Sequence, residues 1–233
     1  SPSLRNSFVT IPGKPGVADF GSDIAEKIIT VHCNVYPQYK FSKLVSVMDS
    51  LADWLNPERG VQQLVLDDVP DRYFTARLSE TVDCDRLILS AGAFDLKFVC
   101  PDPHAYALTD ETYTITAEGE NTVTRLKGNA DSEPVYLIKG IIPSGTNTYV
   151  SIQTNNEEIR VIGPLYDGET LIIDTGKVTA KVVDTSGETL RNGLPLMQEL
   201  NFPVLRKGNN TVTITPVGAD FTELKIQAKS RWR

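Results

Sequence analysis

Past residue 107 the apolar side chains recur at every second position and nowhere at helical spacing. Tyr113–Ala117, Val135–Ile142, Thr148–Thr154, Ile159–Ile162, Thr170–Asp174, Val178–Val183, Asn210–Pro216 and Thr222–Ala228 form the series. Alternation puts successive side chains on opposite faces of a strand, so one face of each segment is ready for burial. Turn signals separate the segments: Gly128-Asn129, Pro143-Ser144-Gly145, Tyr166-Asp167-Gly168, Ser186-Gly187 and Gly208-Asn209. Short strands so punctuated bury their apolar faces by stacking antiparallel sheets. The spacing therefore predicts a β-sandwich or jelly roll over residues 108–233. Threonine agrees, with 18 copies in this stretch and 4 before it. Its methyl packs while its hydroxyl faces water, as a half-exposed sheet requires.

Residues 1–107 read differently. Ile29, Val31, Cys33 and Val35 alternate with Thr30, His32 and Asn34, which predicts a long strand over about 24–36 ending at Pro37. The period then changes. Phe41, Leu44, Val45, Met48, Leu51, Ala52 and Leu55 make one apolar helical stripe, with Ser42 as a candidate cap and Asn56-Pro57 and Gly60 closing it. Trp54 adjoins the stripe and is expected to pack. Strands are expected again at Gln62–Leu66, Tyr73–Ser79 and Asp85–Cys100. Gly13-Lys14-Pro15-Gly16 reads as a tight turn between two strands. The chain is thus mainly β, with one helix and a protruding hairpin in its first half. Closely spaced prolines at Pro101-Asp102-Pro103 terminate a ladder and put the seam between two domains near residue 107.

Composition excludes several function classes. The chain has 233 residues, 40% of them apolar, and a net charge of −7. That is too apolar for a disordered chain, and a compact body of this size buries roughly 70% of its unfolded surface. An isoelectric point near 4.9 argues against a duplex reader. No apolar run approaches the ~18 residues of a membrane span. Three cysteines without CxxC spacing fit a reduced compartment. The chain opens Ser1-Pro2-Ser3 without an initiator Met or a signal peptide, and is expected to lack its first residues.

Candidate chemistry is sparse. Cys100 and His104 flank a Pro-Asp-Pro turn, and Cys100 continues the apolar face of Phe94, Leu96 and Phe98. It reads as a buried small hydrophobe and not as a nucleophile. His32 lies on the opposite face of its strand and is expected at solvent or an interface. Asp67, Asp68 and Asp71 are hard-oxygen residues without the spacing of a calcium loop, and Pro70 among them points to a turn. Glu157 and Glu158 face opposite sides of a strand and cannot converge on one bond. Gly13–Gly16 is no phosphate cradle, since Pro15 removes a needed donor. Asn209-Asn210-Thr211 matches a glycosylation acceptor. Neither a metal, a cofactor nor a catalytic set is indicated.

Ordered motifs say more. Ile11-Pro12-Gly13 with Gly16, then the long strand and single helix, then Leu64–Tyr73, then Phe98–Tyr106, resemble the distal tail protein (Dit) family of long-tailed phages and prophages of Gram-positive bacteria. Gly128-Asn129 before Pro134–Gly140, then Gly168–Thr175, Leu205–Asn210 and Arg231-Trp232 continue the series. The likeness covers essentially the whole chain. It implies an N-terminal β-sandwich with one helix over 1–107 and a galectin-like β-sandwich over 108–233. Relatives carry about a strand or two more before the Ile-Pro-Gly turn. Some insert a carbohydrate-binding module after the junction, for which residues 108–233 leave no room.

The resemblance implies a non-enzymatic virion protein of the tail tip, assembled in the host bacterial cytoplasm without membrane insertion. Such proteins form a hexameric ring that joins the tail tube protein to the tail-associated lysin or fibre hub. The ring anchors receptor-binding proteins, and DNA passes its channel without specific binding. Ring contacts are expected at Ile11, Pro12 and Gly13 and at Asp67, Asp68, Asp71 and Tyr73, on hairpins that offer backbone edges. Asp102, Pro103 and Tyr106 are expected to set the domain junction. The alternative is a carbohydrate-binding adhesion protein, with Trp232 and the other second-half aromatics Tyr113, Tyr136, Tyr149, Tyr166 and Phe202 as candidate sugar contacts. A hydrolase lacks identifiable acid–base partners.

Overall fold

The computed structural model describes residues 2–35, 41–80, 92–145, 147–198 and 200–233. Its strands are β1 (Leu4–Val9), β2 (Ala18–Ile24), β3 (Lys27–Val35), β4 (Gln62–Val65), β5 (Arg72–Leu78), β6 (Gly92–Cys100), β7 (Ala105–Ala107), β8 (Thr112–Ile115) and β9 (Gly119–Arg125). They continue as β10 (Val135–Ile141), β11 (Tyr149–Thr154), β12 (Glu157–Val161), β13 (Thr170–Asp174), β14 (Thr179–Val183), β15 (Thr189–Asn192), β16 (Gly208–Val217), β17 (Asp220–Gln227) and β18 (Arg231–Trp232). The helix α1 spans Phe41–Trp54. The chain is mainly β, as its periodicity requires. Two compact units divide it: Ser1–Ala105 with Arg233, and Tyr106–Trp232.

In the second unit, a six-stranded antiparallel sheet runs β15-β14-β13-β10-β17-β8 and a four-stranded one runs β12-β11-β16-β9. One continuous core lies between them. Tyr136, Ile138, Leu171, Ile173, Leu224 and Ile226 from the larger sheet meet Val150, Ile152, Ile159, Val212 and Ile214 from the smaller. β10, apolar at four successive positions from Val135 to Ile138, lies centrally, between β13 and β17. β9 and β15 escaped the periodicity reading. Both are edge strands, and with water on one side they need few inward apolar side chains: β9 buries Val123 and Arg125, and β15 is largely exposed. β7 and β18, of three and two residues, are too short to show a period.

In the first unit β3 pairs with β6 over nine residues without a bulge, from Lys27↔Cys100 to Val35↔Gly92. β6 pairs with β5, and β5 with β4. Phe74, Ala76, Leu96, Phe98 and Cys100 are buried here, so Cys100 is part of the core. Lys27 Nζ lies 4.2 Å from the Phe74 ring centroid, covering this core with an aliphatic stem and a cation. The expected Asp85–Gly92 part of the strand before β6, with Cys84, lies mostly outside the described residues, as do Tyr36 and Pro37. α1 ends where the sequence marks it. Asn56 Oδ1 accepts the Glu58 amide at 2.9 Å, and a single 3-10 turn covers Pro57–Arg59. Trp54 is a correction: it is 64% exposed, because the last helical turn carries it past the face on which Leu51 and Leu55 are half-buried.

Candidate assembly surfaces

β1 and β2 form a two-stranded ribbon by themselves. Leu4 pairs with Ile24, Asn6 with Ser22, Phe8 with Asp19 and Val9 with Ala18. Between Asn6 and Phe8 the register shifts. There Gly21 takes φ +98°, and Asp19 Oδ1 accepts its amide at 2.8 Å. This bulge twists the ribbon and is tolerated because glycine lacks a Cβ. Ser22 Oγ donates to Asn6 Oδ1 at 2.6 Å across the strands, and Arg5 faces Asp23 at 3.7 Å.

What the ribbon lacks is a core. Every residue of β1 is exposed, and β2 is exposed except for a half-buried Ala18. Leu4 (68%), Phe8 (55%), Val9 (50%) and Phe20 (69%) face water. The register puts Leu4, Ile24 and Phe8 on one side and Val9 and Ala18 on the other, so apolar surface occurs on both. Fully burying one such large side chain contributes about 1.5–3 kcal/mol. An isolated hairpin is marginal in water. A ribbon of this composition is therefore a surface awaiting a partner.

The residues singled out as ring contacts stand at the tips of two hairpins. Ile11, Pro12 and Gly13 make the ribbon's turn, with the Lys14 amide donating to the Ile11 carbonyl at 3.1 Å and Ile11 and Val17 exposed. Gly13 and Gly16 take φ +79° and +81°, which explains the glycines. Asp67, Asp68 and Asp71 lie exposed between β4 and β5. The Val69 amide donates to the Leu66 carbonyl at 2.9 Å, and Arg72 reaches the Asp71 carboxylate at 3.0 and 3.1 Å. Tyr73 opens β5 half-buried. The three aspartates lie on this turn. Among the described residues no group of three or more His, Cys, Asp or Glu is placed to hold a metal.

Other candidates resolve into local structure. Asp102 Oδ1 accepts the His104 amide at 3.0 Å and meets its Nδ1 at 2.8 Å, closing a turn around Pro103. His32 is exposed and pairs with Asp95 at 2.6 Å across the β3–β6 ladder. Tyr106 is half-buried in β7. The second-half aromatics do not form one face. Tyr136 is fully buried with its hydroxyl 2.9 Å from Thr154 Oγ1. Tyr113 donates to the Thr124 carbonyl at 2.8 Å. Tyr149 lies under Arg160, 4.7 Å from its centroid. Phe202 packs on the core, Trp232 is half-buried in β18, and Tyr166 is exposed beside Arg191.

Comparison with known proteins gives these surfaces a context. Residues 1–100 match the family described as the phage tail protein RIFT-related domain. That match covers nearly all of the first unit and less than half of the chain. No curated protein matches the sequence. Among solved structures, the SPP1 Dit protein, titled a paradigm of the hub adsorption apparatus in phages infecting Gram-positive bacteria, aligns over 97% of this chain and 88% of its own. The identity is 16% and the TM-score 0.73, so the fold is shared throughout. The phage P2 baseplate in its activated conformation with calcium aligns over 98% of this chain and 88% of its own, at 10% identity and TM-score 0.44, too low to add to the argument. The distal tail resemblance drawn from the ordered motifs is borne out by the domain match and the shared fold. The matched residues hold both hairpins, α1 and the β3–β6 ladder. The exposed ribbon and Trp54 are the features that motif reading missed. The signal for the ribbon was present, as Leu4-x-Asn6-x-Phe8 and Phe20-x-Ser22-x-Ile24 alternate, but alternation does not reveal that nothing lies underneath.

Proposed function

We propose that this chain is a structural distal tail protein whose phage tail domain builds a hexameric ring at the tail tip. The observation that carries this reading is the ribbon β1–β2, apolar on both sides and uncovered. Its apolar residues have too little to bury against in a single copy, and a second copy supplies what is missing. Support comes from the phage tail domain and from the fold shared with a hub protein. The ring joins the tail tube protein on one side and the lysin or fibre hub on the other. The second unit presents a surface to receptor-binding proteins. The role is non-enzymatic, and the protein belongs to the virion tail tip after assembly in the host cytoplasm.

Charge fits a conduit. Six copies, each of net charge −7, carry six times that, −42, which repels passing DNA from the walls. Light scattering across a concentration series, with negative-stain imaging, tests the reading. A six-fold annulus is expected, and a species that stays monomeric at every concentration, with and without the tube protein, overturns it. The carbohydrate-binding alternative needs convergent exposed aromatics, and the described ones are dispersed. A glycan array is expected to show no binding.

A further inference from the structure

The turn between β6 and β7 holds a peptide bond whose chemistry the assembly role does not use. Asp102 is followed by Pro103 and then by His104. Asp102 Oδ1 accepts the His104 amide at 3.0 Å and meets His104 Nδ1 at 2.8 Å, so carboxylate and imidazole are held together across the Asp102–Pro103 link. The His104 side chain is 18% exposed and that of Asp102 39%. Buried Cys100 ends β6 before the turn, and buried Ala105 opens β7 after it. The pair is therefore carried between two fixed points.

Proline changes what the aspartate before it can do. After an ordinary aspartate, the next backbone N–H can close on the side-chain carboxyl to give a cyclic imide. Pro103 has no N–H, so that route is shut. The other ring closure remains: a carboxylate oxygen attacks the residue's own main-chain carbonyl carbon and forms a five-membered cyclic anhydride. This attack is intramolecular and brings in no second reactant. What it requires is a proton for the departing nitrogen, and histidine is the side chain that exchanges protons near neutrality. We propose that the Asp102–Pro103 bond is a self-cleavage site, with Asp102 as nucleophile and His104 as proton donor. The Asp102 carboxylate adds to its own carbonyl carbon, His104 Nδ1–H gives its proton to the Pro103 nitrogen, and the C–N bond breaks with its electron pair on nitrogen. Water then opens the anhydride to two carboxylates, one on the side chain and one at a new C-terminus. Of the two protons released, one restores His104 and the other charges the proline amine. The reaction runs once per chain and acts on no other substrate, so it stands beside the structural role. The cut falls just after the residues that match the tail domain and ahead of the second unit.

The test incubates the folded full-length protein at neutral pH and follows its intact mass. Two fragments are expected, residues 1–102 ending in a free acid and residues 103–233 beginning with proline. Asp102→Asn, which removes the carboxylate, is expected to stay whole. His104→Asn keeps a hydrogen-bond donor near the Nδ1 position but has no proton to give, and is expected to cleave about 100-fold more slowly. Wild-type chain unfolded in urea is expected to stay whole, because the carboxylate and the imidazole are then no longer held together. Circular dichroism checks that each variant is folded. A folded wild-type chain that stays whole overturns the site, as does cleavage confined to other bonds. Wild-type rates in either folded variant, or in the urea-unfolded chain, overturn it equally.

Discussion

Tyr136 shows what a buried residue in the second unit must satisfy. Its ring is fully buried and its hydroxyl meets Thr154 Oγ1 at 2.9 Å, across the core from one sheet to the other. Burial pushes the phenol well above its ordinary pKa, with Thr154 opposing the shift and Glu157 adding to it, so the hydroxyl stays protonated. Removing one partner strands the other. Tyr136→Phe is expected to lower unfolding stability by about 1–2 kcal/mol, and Tyr136→Phe with Thr154→Val to recover part of that loss, as read by urea denaturation. Additive losses would show that the two hydroxyls do not serve each other. Asn210 fills a similar role: its Oδ1 takes the Arg206 amide at 2.8 Å and its Nδ2 reaches the Arg206 and Gly208 carbonyls at 2.9 and 3.0 Å. In the sequence it reads only as the middle of a glycosylation motif. Its burial was not legible, because asparagine is a surface residue on average and only the folded turn converts it into a fastener. Arg125 is more extreme. Its guanidinium is fully buried, donating to the Ala130 and Arg206 carbonyls at 2.7 and 3.2 Å, and a polar strand such as Gly119–Arg125 gives no hint of it.

Elements are fastened to one another by carboxylates that accept backbone amides. Glu111, just before β8, accepts the Leu126 and Lys127 amides at 2.9 and 3.0 Å and the Ser230 hydroxyl at 2.9 Å. Asp110 accepts the Lys229 and Ser230 amides at 2.6 and 3.0 Å. Together they tie the chain entering β8 to the end of β9 and to the segment between β17 and β18. Burial raises the Glu111 carboxyl, but the two amides and the Ser230 hydroxyl outweigh it and hold the group below its ordinary value. Glu169, bonded foremost by Arg191, is lowered too. A carboxylate with a depressed folded pKa adds stability above its unfolded pKa, and that stability is lost as pH falls through the folded value. The second unit is therefore expected to melt at a constant temperature from neutrality to about pH 5 and progressively lower below about pH 4, near the unfolded carboxylate values. Glu111→Gln should lower the neutral melting temperature and flatten the acid dependence, as followed by calorimetry. An unchanged acid slope would remove Glu111 from this role.

At the scale of the whole molecule, assembly is the property on which the functional reading depends, and light scattering with negative-stain imaging tests it at that scale. Much of the architecture was legible beforehand. Period two over Ile29–Val35 or Thr148–Thr154 and period 3.6 over Phe41–Leu55 follow from the geometry of strand and helix, which forces apolar residues into those rhythms wherever one side is buried. Turns at Gly13–Gly16 and Asp67–Asp71 were equally legible, because backbone stereochemistry restricts which residues occupy them. Edge strands β9 and β15 were not, since an edge imposes little on composition. The mainly β class, the single helix and the turns are thus written in residue order, because they rest on local periodicity and stereochemistry. Which alternating segments have a core beneath them is settled by the packing of the folded chain. Leu4, Phe8 and Phe20 alternate as buried residues do, yet their ribbon stands uncovered, as does Trp54 at the end of α1. Exposure is a property of what lies opposite a side chain in space, and nothing in the rhythm of a single strand records it.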